Sequence, residues 1–254
     1  MEEKKNISFT EIQDAAISFN KCMDNIFNKR THIPISDISL QIIYSQFEID
    51  LVNKKQINTL YAYASGDCVG ELIIILLISE LLNIDINNVI FIDPIYKGDG
   101  FVKVLDDFLT CIGTINILRN YNRFLNIINN KIGFIESLLL IDTTIDVSND
   151  LFITIHPQFD RLNDLINRNT DADQYLYEFK KLRTIYKQLQ NITGYMFISQ
   201  TGGAGDPDDI NIYPTRDVFI KISNEFSEYI SDTNIKEVFT RMQYTKRYKK
   251  FLLF

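Results

Sequence analysis

Tryptophan is absent from this chain, and cysteine, histidine and proline are scarce. The three cysteines, Cys22, Cys68 and Cys111, are odd in number and widely spaced. That pattern argues against a disulfide framework and against a zinc knuckle, and it fits a reducing, intracellular, cytoplasmic setting. No G-x-x-x-x-G-K-[S/T] run occurs, so there is no strong ATP-binding loop, and no metal-ligand signature is present. The longest apolar run, Leu72 to Ile78, is far short of the roughly 20 residues a membrane helix needs, so no membrane partner is expected. The opening MEEKKNISFTEIQD is charged and polar, unlike a secretory leader. Positive charge is not in excess either. The net charge is −7 and the pI about 4.9, which excludes a globally basic nucleic-acid coat and leaves room only for a local basic patch. Glycine is low at 10 residues while Asn and Ile are frequent, a bias typical of AT-rich coding sequences in some viruses and parasites.

What is present begins with a core. Hydrophobic residues make up 46% of 254, enough for one large domain. The most ordered stretch is Gln56 to Asp93, QINTLYAYASGDCVGELIIILLISELLNIDINNVIFID. Ile57 to Ala64 is an apolar and aromatic run of strand length. Ser65-Gly66-Asp67-Cys68-Val69-Gly70 supplies a tight turn. Glu71 to Asn83 is apolar nearly all round, as a helix covered on most sides is. Val89 to Ile92 is a second β-branched and aromatic run, closed by Asp93. Strand, turn, helix and strand in this order make the opening βαβ unit of a nucleotide-binding α/β fold.

Ahead of this unit, Ile12, Ala15, Ala16, Phe19, Met23 and Ile26 recur at helical spacing within Phe9 to Lys29. Ile38 to Val52 reads as a second helix after the break at THIPISD, in which His32 is read as a loop residue. Residues 1–55 are therefore read as a helical extension and 56–254 as the main domain. Beyond the unit, Phe101 to Cys111 reads as a helix stopped by Gly113, and Thr114 to Leu118 as a strand. Asn120 to Lys131 reads as a helix, and Ser137 to Ile141 as a buried strand ending at Asp142. Alternating strands and helices imply a mainly parallel sheet flanked by helices. Leu151 to Ile155 follows too soon for a crossover helix and is expected as an antiparallel edge or an insertion. Asp173 to Gln190 reads as a long helix and Gly194 to Ser199 as a strand. Ile210 to Tyr213 and Val218 to Ile222 are expected as a closing antiparallel hairpin.

The turn after the first strand is the natural ligand contact. A βαβ turn brings backbone N–H groups and a helix N-terminus toward a bound molecule. Gly66 and Gly70 permit close approach, and Ser65 and Asp67 offer side-chain contacts. Asp93 follows Gly70 by about 20 residues, the spacing of an acid that binds a ribose hydroxyl pair. The alternative is that Gly66 merely permits a sharp turn in a sheet protein whose cleft serves another ligand.

The stretch resembles S-adenosylmethionine-dependent methyltransferases of the Rossmann-like kind. The resemblance implies that Ala64, Ser65, Gly66, Asp67 and Gly70 line the cofactor S-adenosylmethionine and that Asp93 takes its ribose. INILRNYNRFLNIINNKIGFIESLLLID is similar to the matching part of poxvirus-type cap 2′-O-methyltransferases, whose fourth strand ends in the acid of a Lys-Asp-Lys-Glu tetrad. By that resemblance Asp142 is the catalytic acid. No lysine stands in GYMFIS, where a tetrad lysine belongs, and Ala62 and Ala64 occupy the region of the usual acid before the turn. A catalytically inactive fold of this kind, kept for binding, is the alternative from another class.

Other readings stay open beside it. Gly66-Asp67-Cys68-Val69-Gly70 matches G-x-C-x-G, a cysteine form of the α/β-hydrolase elbow, with Cys68, Asp142 and His156 in the chain order of such a triad. The bland reading of Cys68 is a small, half-buried apolar residue. His156-Pro157-Gln158-Phe159 compares with the Asn/Asp-Pro-Pro-Tyr/Phe loop of amino-methyltransferases. QTGGAGDPDD, residues 200–209, has the composition of a mobile loop or a lid. Arg241, Lys246, Arg247, Lys249 and Lys250, interleaved with Tyr244 and Tyr248, suit RNA. They suit equally the chain's own acidic surface, a protein partner or a second copy.

Overall fold

The computed structural model describes residues 7–27, 37–66, 68–93, 99–118, 120–141, 145–155, 171–199, 210–229 and 237. Six strands form one sheet: β1 (Gln56–Tyr63), β2 (Asp85–Ile92), β3 (Ile132–Ile135), β4 (Leu151–Ile155), β5 (Thr193–Ser199) and β6 (Ile210–Pro214). Among the described residues the helices are α1 (Phe9–Phe27), α2 (Asp37–Asp50), α3 (Val69–Leu76), α4 (Asp99–Ile112), α5 (Asn122–Asn130), α6 (Ala172–Leu189) and α7 (Thr215–Tyr229). The strand order is β3-β2-β1-β4-β5-β6. All pairs are parallel except β5 with β6, which is antiparallel. The protein is therefore α/β and Rossmann-like, with a mainly parallel sheet and an antiparallel edge. Among the described residues no helix is long and apolar enough to cross a membrane.

Side-chain alternation along the strands builds two cores, one on each face. Leu60, Ala62, Ile153 and Phe197 pack with α1 to α5, whereas Tyr61, Tyr63, Phe152 and Met196 pack with α6 and α7. The leading helices join the first of these cores: Phe19, Met23, Phe47 and Leu51 belong to the same cluster as Leu60 and Phe91. Local chemistry sets the helix ends. Ser8 and Glu11 form a capping box, with Glu11 N–H to Ser8 Oγ at 3.3 Å and Ser8 N–H to Glu11 Oε2 at 2.8 Å. Asp171 accepts the Gln174 N–H at the start of α6. α3 widens into a π-helical turn, Leu77–Leu81, whose Glu80 accepts the N–H of Phe124 at the start of α5. Gly194 lets β5 close on its neighbours, because a Cβ there would collide with the Thr215 side chain and the Phe152 backbone.

Four expectations are corrected. Ser137–Ile141 is not a strand: Leu138–Leu140 is a 3-10 turn, and the third strand is Ile132–Ile135 just before it. Thr114–Leu118 forms turns. Leu151–Ile155 is neither an edge nor an insertion but a central strand beside β1, buried along its whole length. Val218–Ile222 lies within α7, so the antiparallel strand β6 closes the sheet against β5 instead of forming a hairpin with that segment. The cysteines also depart from expectation. Cys22 and Cys111 are disulfide-bonded, and only Cys68 is free. Wide spacing and an odd number of cysteines therefore do not exclude a disulfide here, and the inference of a reducing setting drawn from them loses its support.

Candidate functional site

The chain runs β1, β2, β3 outward to one side of β1 and β4, β5, β6 outward to the other. Such a reversal opens a crevice beyond the carboxyl ends of the strands. Register makes these ends level. Tyr63, the last residue of β1, pairs with Ile92 of β2 on one side and Thr154 of β4 on the other. Ile92 in turn pairs with Ile135 of β3.

The turn after β1 enters this crevice through unusual backbone geometry. Ala64, Gly66 and Cys68 have φ of 57°, 49° and 66°. For the two non-glycine residues this left-handed conformation costs on the order of 1–2 kcal/mol each. Two strands hold the turn in place. The Ala64 N–H donates to the Ile92 carbonyl at 2.8 Å, and the Gly66 N–H donates to Asp93 Oδ2 at 3.0 Å. The Asp93 N–H donates to the Ile135 carbonyl at 3.0 Å, so the acid is fixed by β3 while it fixes the turn. Asp93 and the turn, separate in sequence, are thus brought into contact. Gly70 lies in the first turn of α3 and is buried.

Two observations mark the turn as a place for a ligand. Among the described residues nothing lies within 4 Å of where a Cβ on Gly66 would stand. Ser65 is buried, and its Oγ lacks a hydrogen-bond partner among the described residues. A buried hydroxyl without a partner is rare and calls for a reason. Among the described residues no group of three or more His, Cys, Asp or Glu is placed to hold a metal ion.

Glu71 was not singled out in the sequence. It is the single charged residue of α3 and is 3% exposed in that helix's first turn, where an acid complements the helix dipole. A lone acid in an otherwise apolar helix was the available signal. Thr154, also buried, donates its hydroxyl to the Tyr63 carbonyl at 2.6 Å and locks β4 to β1 at the crevice.

Cys68 caps α3 in the left-handed conformation with its side chain 1% exposed, and its Sγ lies 3.8 Å from the Gly66 carbonyl oxygen. A thiol so placed is packed into the turn rather than presented to a substrate, and more deeply than the half-buried position of the bland reading. Asp67, Asp142, His156, the 200–209 loop and the basic tail lie outside the described residues. The context claimed for Asp142 is nonetheless corrected. It follows the 3-10 turn after β3, not the end of the fourth strand. The fourth strand is β4, and the residue that follows its last residue, Ile155, is His156. No family model matches the chain, and no curated protein matches it.

Proposed function

We propose that this protein is an S-adenosylmethionine-dependent methyltransferase, or a descendant of one, acting through the crevice at the ends of β1, β2 and β4. The observation that carries the reading is the Gly66 N–H bond to Asp93 Oδ2, which joins the turn after β1 to the acid after β2 at the point where the strand order reverses. This donor is already engaged by a carboxylate, so it is not presented to a pyrophosphate, as a dinucleotide-binding turn presents its own. That favours a nucleoside ligand over NAD. In this reading Asp93 binds the ribose, Ser65 Oγ finds its missing partner on the ligand, and Ala64, Gly66, Asp67 and Gly70 pass close to it. When bound, S-adenosylmethionine supplies an electrophilic methyl group.

The acceptor belongs on the β4 side of the crevice. His156-Pro157-Gln158-Phe159 follows β4 directly, in the chain position of the Asn/Asp-Pro-Pro-Tyr/Phe loop with which it compares. That position supports residues 156–159 as the acceptor loop more strongly than Asp142. Orientation of the acceptor supplies much of the rate enhancement in such a site. RNA held by the basic tail is one proposed acceptor.

A second reading is a binding module that has kept the crevice and lost catalysis. It is favoured by β5, whose sequence TGYMFIS lacks the lysine of the tetrad. Thermal unfolding with S-adenosylmethionine, S-adenosylhomocysteine and NAD tests the common core of both. A ligand at about 100 times its Kd adds roughly 2.7 kcal/mol. The expected result is a shift with both adenosyl ligands, none with NAD, and loss of the shift in Asp93→Ala. Absence of any shift would refute an adenosyl site. Binding without methyl transfer to RNA or protein acceptors would select the second reading.

A further inference from the structure

Glu71 is 3% exposed in the first turn of α3, and every other residue of that helix is apolar or glycine. A carboxylate is unfavourable to bury, and packing alone would place an apolar residue there. The helical period fixes the side on which it stands. Residues at i, i+3 and i+4 share a face, and Glu71 shares its own with Ile74 and Ile75, both fully buried. The opposite face carries Ile73 and Leu76, which line a small gap together with Ile12 and Phe19 of α1. Glu71 therefore lies on the side of α3 turned away from α1 and toward the sheet, where the helix packs against β4.

α3 begins where β1 ends, so its first turn stands at the level of the strand ends. The Cα–Cβ bond of a helical residue tilts back toward the N-terminus, which carries the Glu71 side chain toward the turn after β1. Two further features meet at the same helix start. Cys68 provides α3 with no side-chain cap. Ser65 is tied to that start, because its carbonyl accepts the Cys68 N–H at 2.6 Å, and its buried Oγ lacks a partner among the described residues. A neutral hydroxyl serves many polar ligands. Glu71 adds a sign of charge: it attracts an ammonium group and repels a phosphate, and burial strengthens both effects.

We propose, resting on the reading of the crevice as an adenosyl site, that Glu71 is its specificity-determining residue. Its carboxylate receives an ammonium group on the tail of the ligand, so the crevice takes an amine-bearing nucleoside and rejects a nucleotide. In S-adenosylhomocysteine that group is the α-ammonium of the amino-acid tail. Glu71 thereby chooses among adenosyl compounds that Asp93, on the ribose side, cannot tell apart.

Calorimetric titration of the full chain with three probes tests this. They are S-adenosylhomocysteine, 5′-methylthioadenosine, which keeps the nucleoside and thioether but lacks the amino-acid tail, and AMP, which carries a phosphate. The wild type should bind S-adenosylhomocysteine at least about tenfold more tightly than methylthioadenosine, and AMP more weakly than either. Glu71→Gln keeps the shape and removes the charge. It should weaken S-adenosylhomocysteine about tenfold and leave methylthioadenosine within about twofold. An equal loss for both probes would overturn the proposal, because Glu71 would then act only by holding the turn. So would unchanged binding of both, or a wild type that binds AMP as tightly as methylthioadenosine. Those outcomes leave the adenosyl site standing. A wild type that binds neither adenosyl probe would refute the proposed function and this inference with it. If Glu71→Gln does not fold, the wild-type ranking decides, since equal affinity for S-adenosylhomocysteine and methylthioadenosine would also overturn the proposal.

Discussion

Thr154 Oγ1 donates to the Tyr63 carbonyl at 2.6 Å, between two residues that are also partners in the β1–β4 register. The bond ties the two central strands together where both end and where the crevice begins. Thr154→Val keeps the shape and removes that hydrogen bond. The expected cost is about 0.5–1.5 kcal/mol. Urea unfolding should show a lower midpoint with an unchanged slope, and Thr154→Ser should lie closer to the parent. Equal midpoints for valine and threonine would show that the bond adds nothing.

Gly66 has φ of 49°, and no described residue lies within 4 Å of its Cβ position. Gly66→Ala therefore meets no clash among the described residues, and its cost is that of the left-handed backbone, about 1–2 kcal/mol. The added methyl also enters the space assigned to the ligand. The expected outcome is a modest loss in urea stability with a larger proportional loss in calorimetric affinity for S-adenosylhomocysteine. Unchanged affinity would place the ligand away from this turn.

Acid should act on stability in two opposed ways. Asp146 accepts from the Ser148 hydroxyl, the Asn149 side chain and the Ser148 N–H, which hold its carboxyl at about 2, below the ordinary 3.8. Its contribution is complete above pH 3.8 and is lost as the pH falls through about 2. Glu80 and Asp150 behave in the opposite sense, because burial raises both carboxyls above their ordinary values. When ionised they weaken the fold, and this penalty is relieved as the pH falls through their raised values toward the ordinary ones. Thermal unfolding across pH should therefore show stability rising on mild acidification and falling below about pH 4. Asp146→Asn should flatten the fall, and Glu80→Gln should reduce the rise.

The sequence made β1, the turn and β2 legible because their patterns are unambiguous: two apolar runs of strand length, glycines between them and an acid at the end. The helices α1, α4, α5 and α6 were legible from spacing within a residue or two of their ends. The middle of the sheet was not. The segment Ser137 to Ile141, with four apolar residues in a row, carries the composition of a strand, yet Leu138–Leu140 make a 3-10 turn capped by Ser137, whose Oγ accepts from the Leu139 N–H at 3.2 Å. A short apolar run has no period that separates these outcomes. That one misreading left too little chain before Leu151 for a crossover and so pushed a central strand to the edge. Val218 to Ile222 shows the converse. Its β-branched residues suggest a strand, but Phe219 is buried while Lys221 is exposed and Val218 and Ile222 are partly covered, one turn of a helix face.

The site was legible where backbone decides and illegible where distant residues meet. Gly66 and Asp93 were readable from spacing, although the bond between them was not. The missing partner of Ser65 Oγ, the burial of Glu71 and the closure of Cys22 on Cys111 depend on the packing of other elements and leave no local signal. The position of His156 after the fourth strand became meaningful only once Leu151–Ile155 took its place beside β1.

The central claim is that an adenosyl ligand sits on the turn after β1 and against Asp93. Amide NMR of the labelled protein during titration with S-adenosylhomocysteine tests it most directly, because the resonances report position as well as binding. The expected result is saturable movement of the Gly66, Gly70 and Asp93 amides, with little change in α6 and α7. It should be lost in Asp93→Ala, whose spectrum otherwise remains that of a folded protein. Movement confined to other parts of the chain, or none at millimolar ligand, would contradict the account.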